Sequence, residues 1–348
     1  MLNIAQIQVF KLFILESALS LVIKATYLIW LRLDLSKGNP MLKQISLLCA
    51  LCVGLAGIAE IADAAQQKSQ RIVKAKKIFR APAPPDIGRD GGPNLLSHAA
   101  LVYDQTSGRL LYAKNPDTVT PIASITKLMT AMVVLDAKLA LDEAIMLDSQ
   151  DIDMLKGSRS RLPVGASFRR EDVLRLALMA SDNRAAAALG RTYPGGSQVF
   201  VAAMNAKAKE LGLGSTRFVD PSGLAPGNVS SPQDLGALVS AASRYDQIRE
   251  YSTMPALNVT LPDSGRQIGF RNTNSLVKNA DWNINLSKTG FINESGKCLV
   301  MQAMIANQPI VIVLLDSLGK LTRVGDANRI KRWLESNKLA AVVRSGDS

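Results

Sequence analysis

Strand-like runs at 99–114 and 285–316 flank a long middle that reads as helix, a pattern that requires a sheet assembled from distant segments. Residues 99–104 and 109–114 are short apolar runs separated by Gln105-Thr-Ser-Gly108, which predicts a hairpin. Far downstream, residues 285–291, 298–306 and 309–316 form three further strand candidates, the last two joined through Asn307-Gln308. Between them, Pro121 precedes a helix expected over residues 124–138. Its apolar positions Ile125, Leu128, Met129, Met132, Val133 and Leu135 cover much of its circumference, as in a buried helix. Helices are also expected over 171–189, over 200–211 with Gly212 as the stop, and from Ser231-Pro232, where a capping serine precedes proline at the first helical position. A basic amphipathic helix over 326–341 follows the last strand. The expected fold class is α+β, one domain with a helical insertion over about 140–270.

The first part of the chain has a different texture. From Met41 a basic start with Lys43, an uncharged apolar stretch over 45–59 and the small residues Ala62 and Ala64 read as a secretory signal over 41–64, cleaved after Ala64. Residues 1–40 are broken by Lys11, Glu16, Lys24 and Arg32, and read as a leader from an upstream start codon, with an amphipathic leader lying on the membrane as the alternative. Residues 65–94 read as a basic, proline-rich linker. Lys68, Arg71, Lys74, Lys76, Lys77 and Arg80 come without an intervening acid and contribute to a net charge of +12. Weak attraction to an anionic surface is the sharper reading of that cluster. Nucleic acid is disfavoured, because no aromatic residues interleave with the charges. Cys49 and Cys52 lie in the apolar stretch and Cys298 stands apart, so no disulfide is expected in the exported protein. Neither Cys49 nor Cys52 follows a small residue, so no lipid anchor is expected.

The chemistry is limited by what the chain lacks. It has one histidine, His98, with no serine motif around it, so a histidine-based triad has no base and a zinc site has too few ligands. Ser124 and Lys127, one helical turn apart in Pro121-Ile-Ala-Ser124-Ile-Thr-Lys127, supply an alternative, since side chains three apart on a helix share a face. The spacing alone is weak: Ser275 with Lys278 and Ser317 with Lys320 repeat it. Ser124 is distinguished by its place at the start of a buried helix, with Ser181-Asp182-Asn183 and then Lys288-Thr289-Gly290 downstream in that order.

Those three motifs, in that order, resemble penicillin-binding proteins and serine β-lactamases. Residues 121–136, 178–187, Tyr193-Pro-Gly-Gly196, 203–209, Phe270-Arg-Asn-Thr-Asn274 and Lys288-Thr-Gly-Phe291 are similar to the DD-endopeptidase branch of the low-molecular-mass penicillin-binding proteins, the penicillin-binding protein 7 type of serine peptidase family S11. The resemblance covers roughly residues 95–338 and implies a five-stranded antiparallel sheet flanked by helices, in a catalytic domain over 95–342 with a tail over 343–348.

It also implies roles. Ser124 is the acyl-accepting nucleophile and Lys127 its general base, which requires a lysine pKa well below its usual value near 10.4, through burial, the positive helix N-terminus and a second cation. Lys288 is that cation and attracts the substrate carboxylate. Ser181 relays a proton and Asn183 bonds the peptide stem. Thr289 binds carboxylate, Gly290 clears the strand edge for substrate, and the backbone N–H groups of Ser124 and Phe291 form the oxyanion hole. Asp182 reads as structural or tolerant of substitution.

The implied activity is hydrolysis of D-alanyl cross-links in peptidoglycan, in the periplasm, with β-lactam antibiotics as covalent inhibitors and with neither metal nor cofactor. D-alanyl-D-alanine carboxypeptidase activity is the alternative, and an inert wall-binding or regulatory protein the remaining one. A β-lactamase is disfavoured because no Glu-x-x-Leu-Asn loop follows the second motif, where the chain reads Arg217-Phe-Val-Asp220-Pro-Ser-Gly-Leu224. The short stretch after the helix carrying Trp333 favours endopeptidase over carboxypeptidase.

Overall fold

The computed structural model describes residues 86–346 except 89, 90, 263 and 320, with side chains given as far as 337. The expected leader and signal and most of the linker lie outside the described residues. Within them, the distant strands meet as their pattern demands. Strands β1 (Ser97–Asp104) and β2 (Leu110–Lys114) form the predicted hairpin. After the helical middle come β3 (Ala256–Thr260) and β4 (Gln267–Arg271), a separate hairpin. Next are β5 (Asn283–Ile292), β6 (Gly296–Ile305) and β7 (Gln308–Ser317). The main sheet has the order β2-β1-β7-β6-β5 and every pairing in it is antiparallel. The first and last parts of the chain are joined at its centre, where Leu101 pairs with Val313 and Tyr103 with Val311.

Both faces of this sheet are covered, which explains why its strands carry continuous apolar runs rather than a clean alternation. Along β7, Val311, Val313 and Leu315 face the helical core, while Ile310, Ile312 and Leu314 face the other side with Ala327 and Ile330 of the last helix. The helices are α1 (Lys127–Asp136), α2 (Arg170–Met179), α3 (Asn183–Arg191), α4 (Gly196–Glu210), α5 (Pro232–Ala242), α6 (Asp246–Thr253) and α7 (Thr322–Gly346). Helix α1 is buried from Lys127 to Val134, in keeping with its all-round apolar sequence. Among the described residues no helix is long and apolar enough to cross a membrane.

Two expectations change. The helix expected over 124–138 is a 3-10 turn at Ala123–Thr126 followed by α1, and Lys138 already lies in the left-handed region at φ 52°. The single helix expected over 171–189 is two, α2 and α3. Ser181 sits at φ 57° between them and the Asp182 side chain caps α3 through the Ala185 N–H at 3.0 Å. Serine, aspartate and asparagine compete for backbone hydrogen bonds and favour such a break, even where the flanking apolar pattern is continuous. Helix α6 and the β3–β4 hairpin carry no pattern strong enough to have been expected.

One buried carboxylate of helix α7 is hydrogen-bonded to the start of β1. Asp326 accepts from Ser97 N at 2.7 Å, Ser97 Oγ at 2.5 Å and Leu96 N at 3.1 Å, and is paired with Arg329 at 2.5 Å. Its removal leaves two backbone donors and a guanidinium without their acceptor in a dry site. Asp326→Ala is therefore expected to lower unfolding free energy by about 3–5 kcal/mol, read as a shift in the urea midpoint.

Candidate active site

The 3-10 turn places Ser124 and Lys127 on one face at the entrance to α1. Lys127 is wholly buried, and its Nζ lies 2.7 Å from Ser124 Oγ, 2.7 Å from Asn183 Oδ1 and 2.6 Å from the Ser222 carbonyl oxygen. Two of these partners only accept. A neutral amine satisfies them with its two N–H bonds, which leaves its lone pair for the one partner able to donate, the Ser124 hydroxyl. The geometry thus aims the basic lone pair at the hydroxyl proton.

Asn183 is held from its other side, its Nδ2 donating to Ser158 Oγ at 2.8 Å. The left-handed Ser181 turns its hydroxyl toward Lys288 Nζ, 2.8 Å away. Asp182, between them, caps α3 and accepts from Ser160 Oγ at 2.8 Å. The site therefore contains two serine–lysine pairs: Ser124 with Lys127, and Ser181 with Lys288.

Lys288, Thr289, Gly290 and Phe291 follow one another on β5, the edge strand of the main sheet. Lys288 is buried and also donates to its neighbour's carbonyl, that of Thr289, at 3.1 Å; Thr289 Oγ1 donates to Thr273 Oγ1 at 2.7 Å. Phe291 is half exposed, with Lys297 Nζ 3.9 Å from its ring centre. Gly290 meets a packing demand that the sequence did not reveal. A Cβ there would stand 2.7 Å from the Ile122 carbonyl oxygen and 3.2 Å from Ala123 Cβ, so the absence of a side chain lets β5 close on the turn that carries Ser124.

Burial is the main cause of the low basicity of both lysines. It pulls Lys127 down to about 7 against the opposing attraction of Asp220, Asp182 and Asp153. Lys288 is pushed well below the usual lysine value, first by burial and then by repulsion from Lys127 and Arg323. The expectation that a second cation depresses Lys127 is therefore modified. Desolvation comes first for both amines, and the charges that act on Lys127 are carboxylates that oppose its lowering.

Several site-forming residues were not identified from the sequence. Ser222 contributes a carbonyl, which no side-chain motif encodes. Asp220 shapes the loop that presents it, Oδ1 accepting from Ser222 N, Ser222 Oγ and Gly223 N at 2.6, 2.6 and 2.7 Å, and Oδ2 from Ala225 N at 2.9 Å. Asn228 staples that loop to the 3-10 turn, donating to Thr126 Oγ1 and to the Asp220 carbonyl at 2.9 Å each. Arg323, at the start of α7, donates to the carbonyls of Gly290 at 2.9 Å and Cys298 at 3.0 Å, placing a cation behind β5. His98 is exposed on β1, away from this cluster. The competing Ser275–Lys278 pair is exposed on a 3-10 turn, and Ser317 is hydrogen-bonded to Ser97.

The profile of the S11 peptidases, described as D-alanyl-D-alanine carboxypeptidase, matches residues 88–319. A D-alanyl-D-alanine endopeptidase of Pseudomonas aeruginosa is 49% identical over 262 residues, covering 75% of this chain and 84% of the relative. One from Escherichia coli is 46% identical, covering 72% and 81%. Among solved structures, the Streptomyces K15 DD-transpeptidase superposes with a TM-score of 0.65 at 27% identity, covering 70% of this chain and 98% of the neighbour. Penicillin-binding protein D2 of Listeria monocytogenes in its ampicillin-bound form gives 0.59 at 31% identity, covering 69% and 97%. With its α+β fold, its antiparallel five-stranded sheet and its two serine–lysine pairs, the chain belongs to the S11 family of serine D-alanyl-D-alanine peptidases.

Proposed function

We propose that this protein is a penicillin-sensitive DD-endopeptidase that hydrolyses D-alanyl cross-links between peptidoglycan stem peptides through an acyl-enzyme on Ser124. The observation that carries the chemistry is the pair of acceptors, Asn183 Oδ1 and the Ser222 carbonyl, that leave the Lys127 lone pair facing Ser124 Oγ. Lys127 takes the hydroxyl proton as Ser124 Oγ bonds to the scissile carbonyl carbon, and the backbone N–H groups of Ser124 and Phe291 receive the developing oxyanion. When the C–N bond breaks, Ser181 gives its proton to the leaving amine and recovers one from the lysines. Water then cleaves the ester and returns the proton to Ser124.

Asn183 orients the stem peptide, and the strand edge at Gly290 receives the substrate backbone. A carboxylate arriving at Lys288 and Thr289 favours the protonated form of Lys288. That new charge disfavours protonation of Lys127, so substrate binding itself prepares the base. β-Lactams acylate the same serine, as the ampicillin-bound state of the Listeria relative suggests.

Cleavage of cross-links rather than of terminal D-alanine is supported by the P. aeruginosa and E. coli endopeptidases at 49% and 46% identity, whereas relatives named carboxypeptidase are 28–30% identical. Such a substrate supports a periplasmic location for the working protein.

The reading is tested by incubating the protein with purified sacculi and separating the released muropeptides. Cross-linked dimers are expected to fall and monomers to rise; loss of terminal D-alanine with dimers intact would instead assign carboxypeptidase activity. Ser124→Ala is expected to abolish labelling by a fluorescent penicillin and to reduce turnover by at least about a thousandfold.

The base must be neutral to act, so activity declines as pH falls through the Lys127 value. With that value at about 7, the second-order rate of penicillin acylation is expected to be about tenfold higher at pH 8 than at pH 6, measured by stopped-flow or quenched labelling.

Gly223, at φ 84°, would place a Cβ 1.9 Å from the Ala123 carbonyl oxygen. Gly223→Ala is therefore expected to displace the peptide preceding Ser124, costing about 1–3 kcal/mol of stability and slowing acylation by about a hundredfold. Thermal melting and the labelling rate report the two effects separately.

A further inference from the structure

Beside the serine–lysine cluster lies an apolar recess of about 290 Å³ whose apolar walls come from outside the three motifs. Ile152, Met154 and Leu155 form one wall, and Pro221, Leu224 and Ala225 the other. Asn183 and Ser222 also line it, and these are the two residues whose oxygens receive Lys127 Nζ. The recess thus ends one hydrogen bond from the base.

The 152–155 wall exposes apolar groups that a freely moving loop would turn inward. Met154 is 88% exposed and Leu155 60%. Leaving such side chains in water forgoes about 25 cal/mol for each Å² of apolar surface. The loop's polar residues prevent the inward turn by fixing its backbone. Asp153 Oδ1 accepts from Leu155 N and Lys156 N, both at 2.9 Å, and Oδ2 accepts from Ser158 N at 2.8 Å. Asp151 is paired with Arg191 at 2.8 Å, and Lys156 reaches Glu294, between β5 and β6, at 2.5 Å. A pinned backbone that displays apolar side chains at the mouth of a recess, with a few polar groups at its inner end, is the construction of a ligand subsite.

Charge decides which part of a ligand fits. Asp151, Asp153 and Asp220 also line the recess, so a carboxylate is repelled there, whereas at β5 it meets the Arg323 guanidinium behind the strand and favours the charged form of Lys288. The carboxylate-bearing leaving half of a substrate therefore belongs with β5. The acyl half, which Asn183 orients, therefore lies beside the recess that Asn183 also lines, so a side chain carried on that half adjoins it.

We propose that the recess is a side-chain subsite for the acyl half of the substrate, taking an aliphatic or aromatic group carried on the acyl side of the bond that Ser124 attacks. The inference rests on the acyl-enzyme reading above.

The test compares second-order acylation rates for benzylpenicillin, which carries an aromatic acyl side chain, and 6-aminopenicillanic acid, which carries none. The full chain and its Met154→Ser/Leu155→Ser double variant are each assigned the ratio of the two rates, so every protein is its own reference. The ratio is expected to favour benzylpenicillin in the unmodified protein and to fall about tenfold in the double variant. Leu224→Ser, on the opposite wall, is expected to lower it in the same direction. An unchanged ratio in variants that still acylate overturns the subsite. Failure of the unmodified protein to acylate with either compound overturns the acyl-enzyme reading instead.

Discussion

The fold around this site depends on holding one amine dry. Lys127 Nζ joins three parts of the chain that are far apart in sequence: the turn bearing Ser124, the head of α3 at Asn183 and the loop at Ser222. None of the three contacts has its chemical effect unless the other two are in place. Without Asn183 Oδ1 or the Ser222 carbonyl, the amine would have a free N–H bond, and its lone pair would no longer be committed to Ser124.

That commitment explains much of the surrounding architecture. An unpaired ammonium in a dry interior costs several kcal/mol, so the walls must be stiff enough to prevent the lysine from escaping to water. The sheet is buried on both faces, and α1 is buried around its whole circumference for two turns. Strain gathers where these rigid parts meet. Ala123 at φ 48° immediately precedes Ser124, and Ser181 at φ 57° lies at the break between α2 and α3. Backbone conformations of this kind cost about 1–3 kcal/mol each and persist only when their surroundings dictate them. Here Asp182 caps one, while Gly223 packs beneath the other.

Side-chain identity and order made the reactive residues legible: a serine and lysine at helical spacing, then Ser181 and Asn183, then Lys288. The strands were equally legible, because a sheet covered on both faces leaves long apolar runs such as the one in β7. What stayed hidden was of another kind. The Ser222 carbonyl is a backbone atom that any residue could supply, and its placement depends on Asp220 and Asn228 acting through loop geometry. The break between α2 and α3 was hidden because alanines and leucines continue the helical pattern across it, while its cause is the local bonding of Asp182. Gly290 was recognised for the right position but a different reason: its nearest demand is the Ile122 carbonyl oxygen.

The electrostatics follow from where the charges were left. Asp220, Asp182 and Asp153 raise Lys127, and Arg323 lowers Lys288, so these fixed charges favour a proton on Lys127 over one on Lys288. An anion held at β5 opposes that preference, because it stabilises charge on Lys288, and each lysine's charge disfavours the other's. A site with only one lysine would have to choose between attracting a carboxylate as a cation and accepting a proton as a base. Two lysines on separate elements, each hydrogen-bonded to its own serine, remove that conflict, because the proton lost by one can reside on the other. The long separation in sequence between the two pairs follows from this division: one must sit on a buried helix and the other on an open strand edge.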